Sequence, residues 1–233
     1  MIKLSTFHLS NKRTQLFLTT RSKLKLNENL VDDILVDHTP SLVGIFNESK
    51  FIIKFIRARS WHEYLKLLWN HSRITKEVKG SSLLAKLGLK VPTIHEVGYG
   101  IVPSANHEFL GYYVMENLIQ SGFQELSKLI KEDTLNEALR GAIMKSIYDG
   151  LKAMRDNHIV FSDFHLDNVF ANNRGEIVWI DAGVTTYRSF NTKKFTKKHN
   201  HSINRYIDYS YSGQQLLLPS EKTMFSALLL SIK

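Results

Sequence analysis

Blocks rich in Val, Ile and Phe stand at LVDDILVD, SLVGIFN and KFIIKFIRA within residues 30–58, and the groups DHTP and NESK separate them. Such runs bounded by turn-forming residues predict three short antiparallel strands, a β-meander. From Trp61 the apolar spacing changes to three and four residues: Tyr64, Leu65, Leu68 and Trp69, then Ile74, Val78, Leu83, Leu84 and Leu87. That period predicts helices, with Gly88 ending the second and Pro92 forbidding its continuation. IHEVGYGIV and EFLGYYVMENL then predict two further strands, connected through residues 101–108.

Beyond Gly122 the pattern becomes mainly helical, around 123–131 and 134–157. The second segment carries Leu135, Leu139, Ile143, Ile147, Leu151 and Met154 as a stripe, which reads as core. Two short apolar strands follow, flanking the hairpin signal Asn172-Asn173-Arg174-Gly175. From about Arg188 the chain is basic, then aromatic and polar, with a last helix expected near 220–232. No internal repeat or low-complexity linker interrupts this order.

Composition narrows the class. A chain of 233 residues that is 43% hydrophobic is long and apolar enough to bury a core, so disordered and fibrous classes drop out. The formal net charge of +9 predicts an anionic partner: a nucleotide, a nucleic acid, a phosphorylated sugar or an acidic membrane face. The absence of cysteine excludes disulfides, thiolate metal sites and a cysteine nucleophile. Polar residues break every short apolar run near the N-terminus, so export is not expected, and no run reaches the roughly 18 apolar residues of a spanning helix.

The chemistry concentrates in SDFHLDNVFANNRGEIVWIDAG. Asp163 and Asn168 stand five apart in a loop between a helix and a strand, and Asp181 follows the hairpin. Phosphoryl transfer needs a carboxylate to orient and deprotonate an attacking hydroxyl, and oxygen ligands to hold Mg²⁺ on nucleotide phosphates. The loop supplies the first from Asp163 and a ligand from Asn168; the hairpin returns a second carboxylate, Asp181, suited to a hard cation. Gly183 is expected to leave room for the turn behind it. A lone Asp or Asn in a loop is usually a turn or capping residue, and only the ordered set argues for a site.

SDFHLDN followed by WIDAG resembles the catalytic and metal-binding loops of kinase-like enzymes. Its Asp-x-His-x-x-Asn form resembles antibiotic and sugar kinases more than protein kinases. With the basic charge, the early Trp-rich helix and ITKEVKGSSLLAKLGLKVPTIHEVGYG, the chain is similar to the small bacterial lipopolysaccharide core kinases, which phosphorylate heptose or Kdo. The resemblance spans roughly residues 30–190. It implies an α+β, two-lobed protein-kinase-like fold, with a β-rich nucleotide lobe at 1–118 and a small, mainly helical catalytic lobe at 119–233.

The same resemblance implies that Lys54 touches the ATP phosphates and that Glu77 holds Lys54, with Glu63 as the alternative partner. It also implies that backbone groups from Glu116 to Leu118 meet the adenine, so that a nucleotide lies between the lobes. His165 would support the loop through a hydrogen bond to backbone near Asp181, and Asp167 would be an exposed charge near the acceptor. Two features depart from the family pattern. Gly44 stands alone where many kinases have a glycine-rich loop, and Ser162 replaces the arginine that protein kinases carry before the catalytic aspartate.

These readings lead to an ATP- and Mg²⁺-dependent transferase acting on a sugar hydroxyl, probed against two alternatives: a kinase for a protein or small-molecule hydroxyl, and a nucleotide-binding pseudokinase. Residues 188–205 contain no acid, so they read either as a patch for an anionic glycolipid at the cytoplasmic face of the inner membrane or as a solvated tail. Nucleic acid ranks last among the anionic partners, because no recognisable binding module accompanies the basic segment. The expected location is cytoplasmic, with peripheral contact at the inner membrane.

Overall fold

The computed structural model describes residues 2–9, 12–18, 33–46, 50–69, 71–100 and 109–231. The fold is mixed α+β, with a β-rich N-terminal sheet and helices in the C-terminal part. The chain divides into two compact units, Met1–Val78 with Pro92–Ser121, and Lys79–Val91 with Gly122–Lys233.

Among the described residues the first unit has seven strands: β1 (Ile2–Leu9), β2 (Lys12–Leu18), β3 (Asp33–His38), β4 (Ser41–Phe46), β5 (Phe51–Ile56), β6 (Ile94–Gly100) and β7 (Gly111–Glu116). Their order is β1-β2-β6-β7-β5-β4-β3. Every neighbouring pair is antiparallel except β2 with β6. The meander β3–β5 and the pair β6 and β7 form where the apolar blocks predict them, whereas the β1–β2 hairpin falls where the sequence pattern assigned no element. The connection expected at 101–108 lies outside the described residues.

Alternation along β5 sorts the sheet's two faces. Ile53 and Phe55 join Leu42, Phe109, Tyr112 and Val114 in one apolar cluster. Ile56 turns to the other face with Tyr113, Ile94 and Val97, where Tyr64 and Ile74 from helices α1 (His62–Leu68) and α2 (Arg73–Lys86) cover it. α2 has well-defined ends. Ser72 Oγ accepts the Thr75 N–H at 3.2 Å as an N-cap. At the other end Gly88 takes φ +79°, Leu89 N donates to Leu84 O and Gly88 N to Ala85 O, the two bonds of a Schellman motif.

The second unit contains α3 (Leu126–Lys131), α4 (Glu137–Asp156), α5 (Thr192–Ile207) and α6 (Pro219–Ser226). Short strands pair among them: β8 (Gln124–Glu125), β10 (Val169–Ala171) and β11 (Ile177–Trp179) form one sheet, β9 (Ile159–Phe161) pairs with β12 (Val184–Thr186), and β13 (Ser210–Tyr211) with β14 (Gln214–Gln215). Asn136 caps α4 by accepting the Leu139 N–H at 2.8 Å. The predicted stripe is then buried at Ile143, Ile147, Leu151 and Met154, against Leu84, Phe164, Trp179, Tyr206 and Phe225. Gly150 is required by this packing, since a Cβ there would lie 2.6 Å from the Trp179 ring.

Residues 192–207 are not a solvated tail. They form α5, whose inner face buries Phe195, Thr196, His199, Ser202, Ile203 and Tyr206 while Lys193, Lys194, Lys197 and Lys198 stay exposed. His199 Nε2 meets Leu228 O at 3.0 Å, and burial lowers the pKa of this imidazole, keeping it neutral. The final helix is shorter than the sequence suggests, ending at Ser226. Among the described residues no helix is long and apolar enough to cross a membrane.

Candidate functional site

In the second unit the loop after β9 is pinned from within. Phe164 is 1% exposed and packs on Phe161, Trp179 and Tyr206, with ring centroids 5.5, 5.2 and 4.6 Å away. Leu166 is buried as well, so the chain between them turns its neighbours Asp163 and His165 away from the core. Asn168 closes a one-turn 3-10 helix over Leu166–Asn168, with its N–H donating to His165 O at 3.0 Å. Its side-chain Nδ2 donates to Asp163 O at 2.8 Å, fixing the loop across the Asp-x4-Asn interval. Because the amide nitrogen is committed there, the side-chain oxygen is the atom left to act as an acceptor or ligand.

The β10–β11 hairpin brings Asp181 back to this loop. Asn172 Oδ1 accepts the N–H groups of Arg174 and Glu176, and Gly175 takes φ +79°, which folds the tip. Ile180 N then donates to Asn168 O at 2.9 Å, which sets Asp181 one residue beyond this bond to the Asp163–Asn168 loop. Asp181 itself has φ +50°, a left-handed conformation that costs about 1–3 kcal/mol for most non-glycine residues and is least unfavourable for Asn and Asp.

The glycine that makes room for this turn is Gly80, not Gly183. A Cβ on Gly183 would meet only Asp181 O at 3.7 Å, but one on Gly80 would fall 1.7 Å from Ala182 O. The backbone of α2 therefore approaches the Asp181–Gly183 turn through a missing side chain.

Asp163 is exposed, and its Oδ1 lies 2.7 Å from Arg205 Nη2, near the end of α5. Ser202, one turn earlier, donates to Phe161 O at 2.5 Å and anchors α5 against β9. His165 and Asp167 depart from expectation. Among the described residues His165 Nδ1 has no hydrogen-bond partner, and the ring stacks on Tyr209 at 5.1 Å instead of bonding near Asp181. Asp167 is half-buried rather than an exposed charge, with Oδ2 accepting the Tyr209 hydroxyl at 2.5 Å. Burial, then the bond to Asp167 and its charge, push the Tyr209 phenol far above its ordinary value, so it remains a donor.

In the first unit Lys54 projects from β5 opposite Tyr113 of β7. Its Nζ lies 3.1 Å from Glu77 Oε2, and Glu77 also accepts the Tyr113 hydroxyl at 2.9 Å. Glu63, the alternative partner, is engaged elsewhere: Oε2 accepts the Arg59 N–H at 2.8 Å and lies 3.1 Å from Arg73. Burial pushes the Glu63 carboxyl up, but these bonds and the charges of Arg73 and Lys66 outweigh it and hold it below its ordinary value.

At the end of β7 the N–H groups of Glu116 and Asn117 donate to Thr93 O and Lys50 O, while Glu116 Oε1 accepts the Thr93 N–H. Leu118 is buried and its carbonyl accepts from Ser121 N.

Asp163, Asn168 and Asp181 thus share one loop system in the second unit, and Lys54, Glu77, Glu116 and Leu118 belong to the first. Gly80, Arg205 and Tyr209 were not singled out by the sequence reading. Arg205 had a signal, since it falls four residues after His201, which itself follows Lys197 by four, on a helix that contains no acid. Among the described residues no group of three or more His, Asp or Glu could hold a metal by itself. No protein-family model matches the chain, and a search of curated proteins finds no match.

Proposed function

We propose that the protein is a phosphotransferase of the protein-kinase-like fold that moves the γ-phosphoryl group of ATP to a sugar hydroxyl. The observation that carries this reading is the loop system of the second unit, where Asn168 bonds to Asp163 O, Ile180 bonds to Asn168 O, and a left-handed Asp181 follows. In this reading Asp163 orients the acceptor hydroxyl and takes its proton as the new O–P bond forms and ADP leaves. Asn168 Oδ1 and the Asp181 carboxylate would hold Mg²⁺, which when bound neutralises charge on the nucleotide phosphates. Two protein ligands suit this ion, which keeps waters and phosphate oxygens as its remaining partners. Lys54, held by Glu77, contacts the phosphates, and the Leu118 N–H serves the adenine edge.

Support for a sugar acceptor, a heptose or Kdo of lipopolysaccharide core, comes from the resemblance of SDFHLDN and WIDAG to sugar kinases. One observation favours a second reading, nucleotide binding without turnover. β3 and β4 are joined through Thr39 and Pro40, with His38 opposite Ser41, so their turn has no glycine to approach a phosphate and Pro40 has no N–H to offer.

The test is labelled ATP with Mg²⁺ and a panel of core oligosaccharides, proteins and aminoglycosides. Asp163→Asn is expected to retain ATP binding while turnover falls by about 10²–10⁴, the usual contribution of a general base. Asp181→Ala is expected to lose the Mg²⁺ dependence of ATP binding. Transfer to protein alone would overturn the sugar acceptor; binding without transfer or hydrolysis would favour the second reading.

A further inference from the structure

α5 presents a basic face that the proposed phosphoryl transfer leaves unexplained. The helix contains no acid, and its buried face is set by Phe195, His199, Ser202, Ile203 and Tyr206. Outside, Lys194, Lys197, Lys198, His201 and Arg205 follow at intervals of three and four, so they share one side of the helix. At 1.5 Å per residue this track runs for about 16 Å. Among the described residues none of its lysines enters an ion pair. Its end opens into a cleft of about 480 Å³ lined by His201, Asn204, Arg205, Asp208, Tyr209 and Ser210. Arg205 is the residue in this cleft that also bonds Asp163.

We propose that this cleft and track recognise an anionic saccharide, and that Arg205 exchanges Asp163 for a carboxylate or phosphate on that saccharide. The exchange rests on Asp163 acting on the acceptor, as above; the recognition does not. Arg205 and Asp163 are 52% and 65% exposed, so their pair contributes little and is readily replaced by another anion of suitable geometry. A guanidinium presents a planar fork to such groups and cannot lose its charge. The rest of the rim mixes donors and acceptors, Asn204, Asp208 and Ser210, which suits hydroxyls that both donate and accept. Asp208 also disfavours a uniformly anionic surface at this end. With no acceptor present, Arg205 keeps Asp163 occupied; an acceptor that brings its own anion frees the carboxylate for the hydroxyl.

The full chain is titrated calorimetrically, without ATP, with a trigalacturonate and with its neutral methyl ester. The parent is expected to bind the carboxylate form roughly tenfold tighter, the size of effect one charged hydrogen-bond partner supplies. Arg205→Gln should lose most of that preference and Arg205→Lys part of it. Asp163→Asn should bind the carboxylate form more tightly than the parent, because the competitor for Arg205 is gone; a merely structural Arg205 would not produce this. Equal binding of acid and ester, or an unchanged preference in a folded Arg205→Gln variant, overturns the proposal. So does binding to anionic phosphatidylglycerol vesicles without saccharide preference, for which exposed Phe190 beside the track would be the anchor. Failure of ATP binding would remove the kinase reading and leave the saccharide result standing.

Discussion

Lys54 is a charged side chain, 8% exposed, on a strand whose neighbours are apolar, and burying an ammonium is unfavourable unless a partner compensates. Glu77 is that partner, and Tyr113 holds Glu77 by a second bond. Breaking a buried pair from one side leaves an uncompensated charge and costs about 3–5 kcal/mol, whereas replacing both partners is far milder. Lys54→Met and Glu77→Gln are therefore each expected to lower the urea midpoint. The double variant should be more stable than their sum implies, with a coupling energy of about 1–3 kcal/mol. Glu77→Gln should weaken ATP binding in the parent and be silent after Lys54→Met. Additive losses would mean that the pair does not act as a unit.

At the scale of elements, Gly80 and Gly141 give opposite expectations for the same substitution. Alanine is favoured over glycine inside a helix by about 0.8–1.0 kcal/mol. At Gly141 of α4 a Cβ would meet nothing within 4 Å, so Gly141→Ala should raise stability by nearly that amount and leave ATP binding unchanged. At Gly80 the Cβ would sit 1.7 Å from a backbone oxygen, a clash that exceeds the helical gain. Gly80→Ala should lower the urea midpoint, displace the Asp181–Gly183 turn and reduce Mg²⁺-dependent ATP binding. If it behaves like Gly141→Ala, the turn adapts and Gly80 has no positioning role.

The same elements show what a sequence can carry. β3–β5 and α4 were legible because their apolar positions are continuous or strictly periodic and Pro and Asn stand in their turns and caps. α5 was hidden because half its buried face is Thr196, His199 and Ser202, polar residues of which His199 and Ser202 bond to the distant carbonyls of Leu228 and Phe161. Asp163, Asn168 and Asp181 were legible as a candidate because their relation is local in sequence. Gly80 and Arg205 were not, since each matters through a residue far along the chain.

At the scale of the whole molecule, neither compact unit is a single continuous stretch of chain. The chain enters the second unit at Lys79, returns to the first at Pro92 and leaves again at Gly122, so residues 79–91 belong with the C-terminal part. They are structural members of it: Leu84 is fully buried in that core, and Leu83, Leu87, Leu89 and Val91 pack against it. Lys90 O also accepts the Trp179 N–H at 2.9 Å, at the end of the strand that leads to Asp181. Losing one fully buried leucine costs about 2–5 kcal/mol, against a total of about 5–15 kcal/mol for an ordinary domain. Removing Leu84 with four half-buried neighbours should therefore abolish cooperative folding of a fragment 119–233. Expressed alone, it is expected to keep helical far-ultraviolet dichroism, bind hydrophobic dye and unfold without a sharp urea transition. Joining residues 79–91 to 122–233 through a flexible Gly/Ser linker should restore the transition, because the missing core segment is then supplied at high effective concentration. If fragment 119–233 unfolds as sharply as the joined form, residues 79–91 are dispensable to that core.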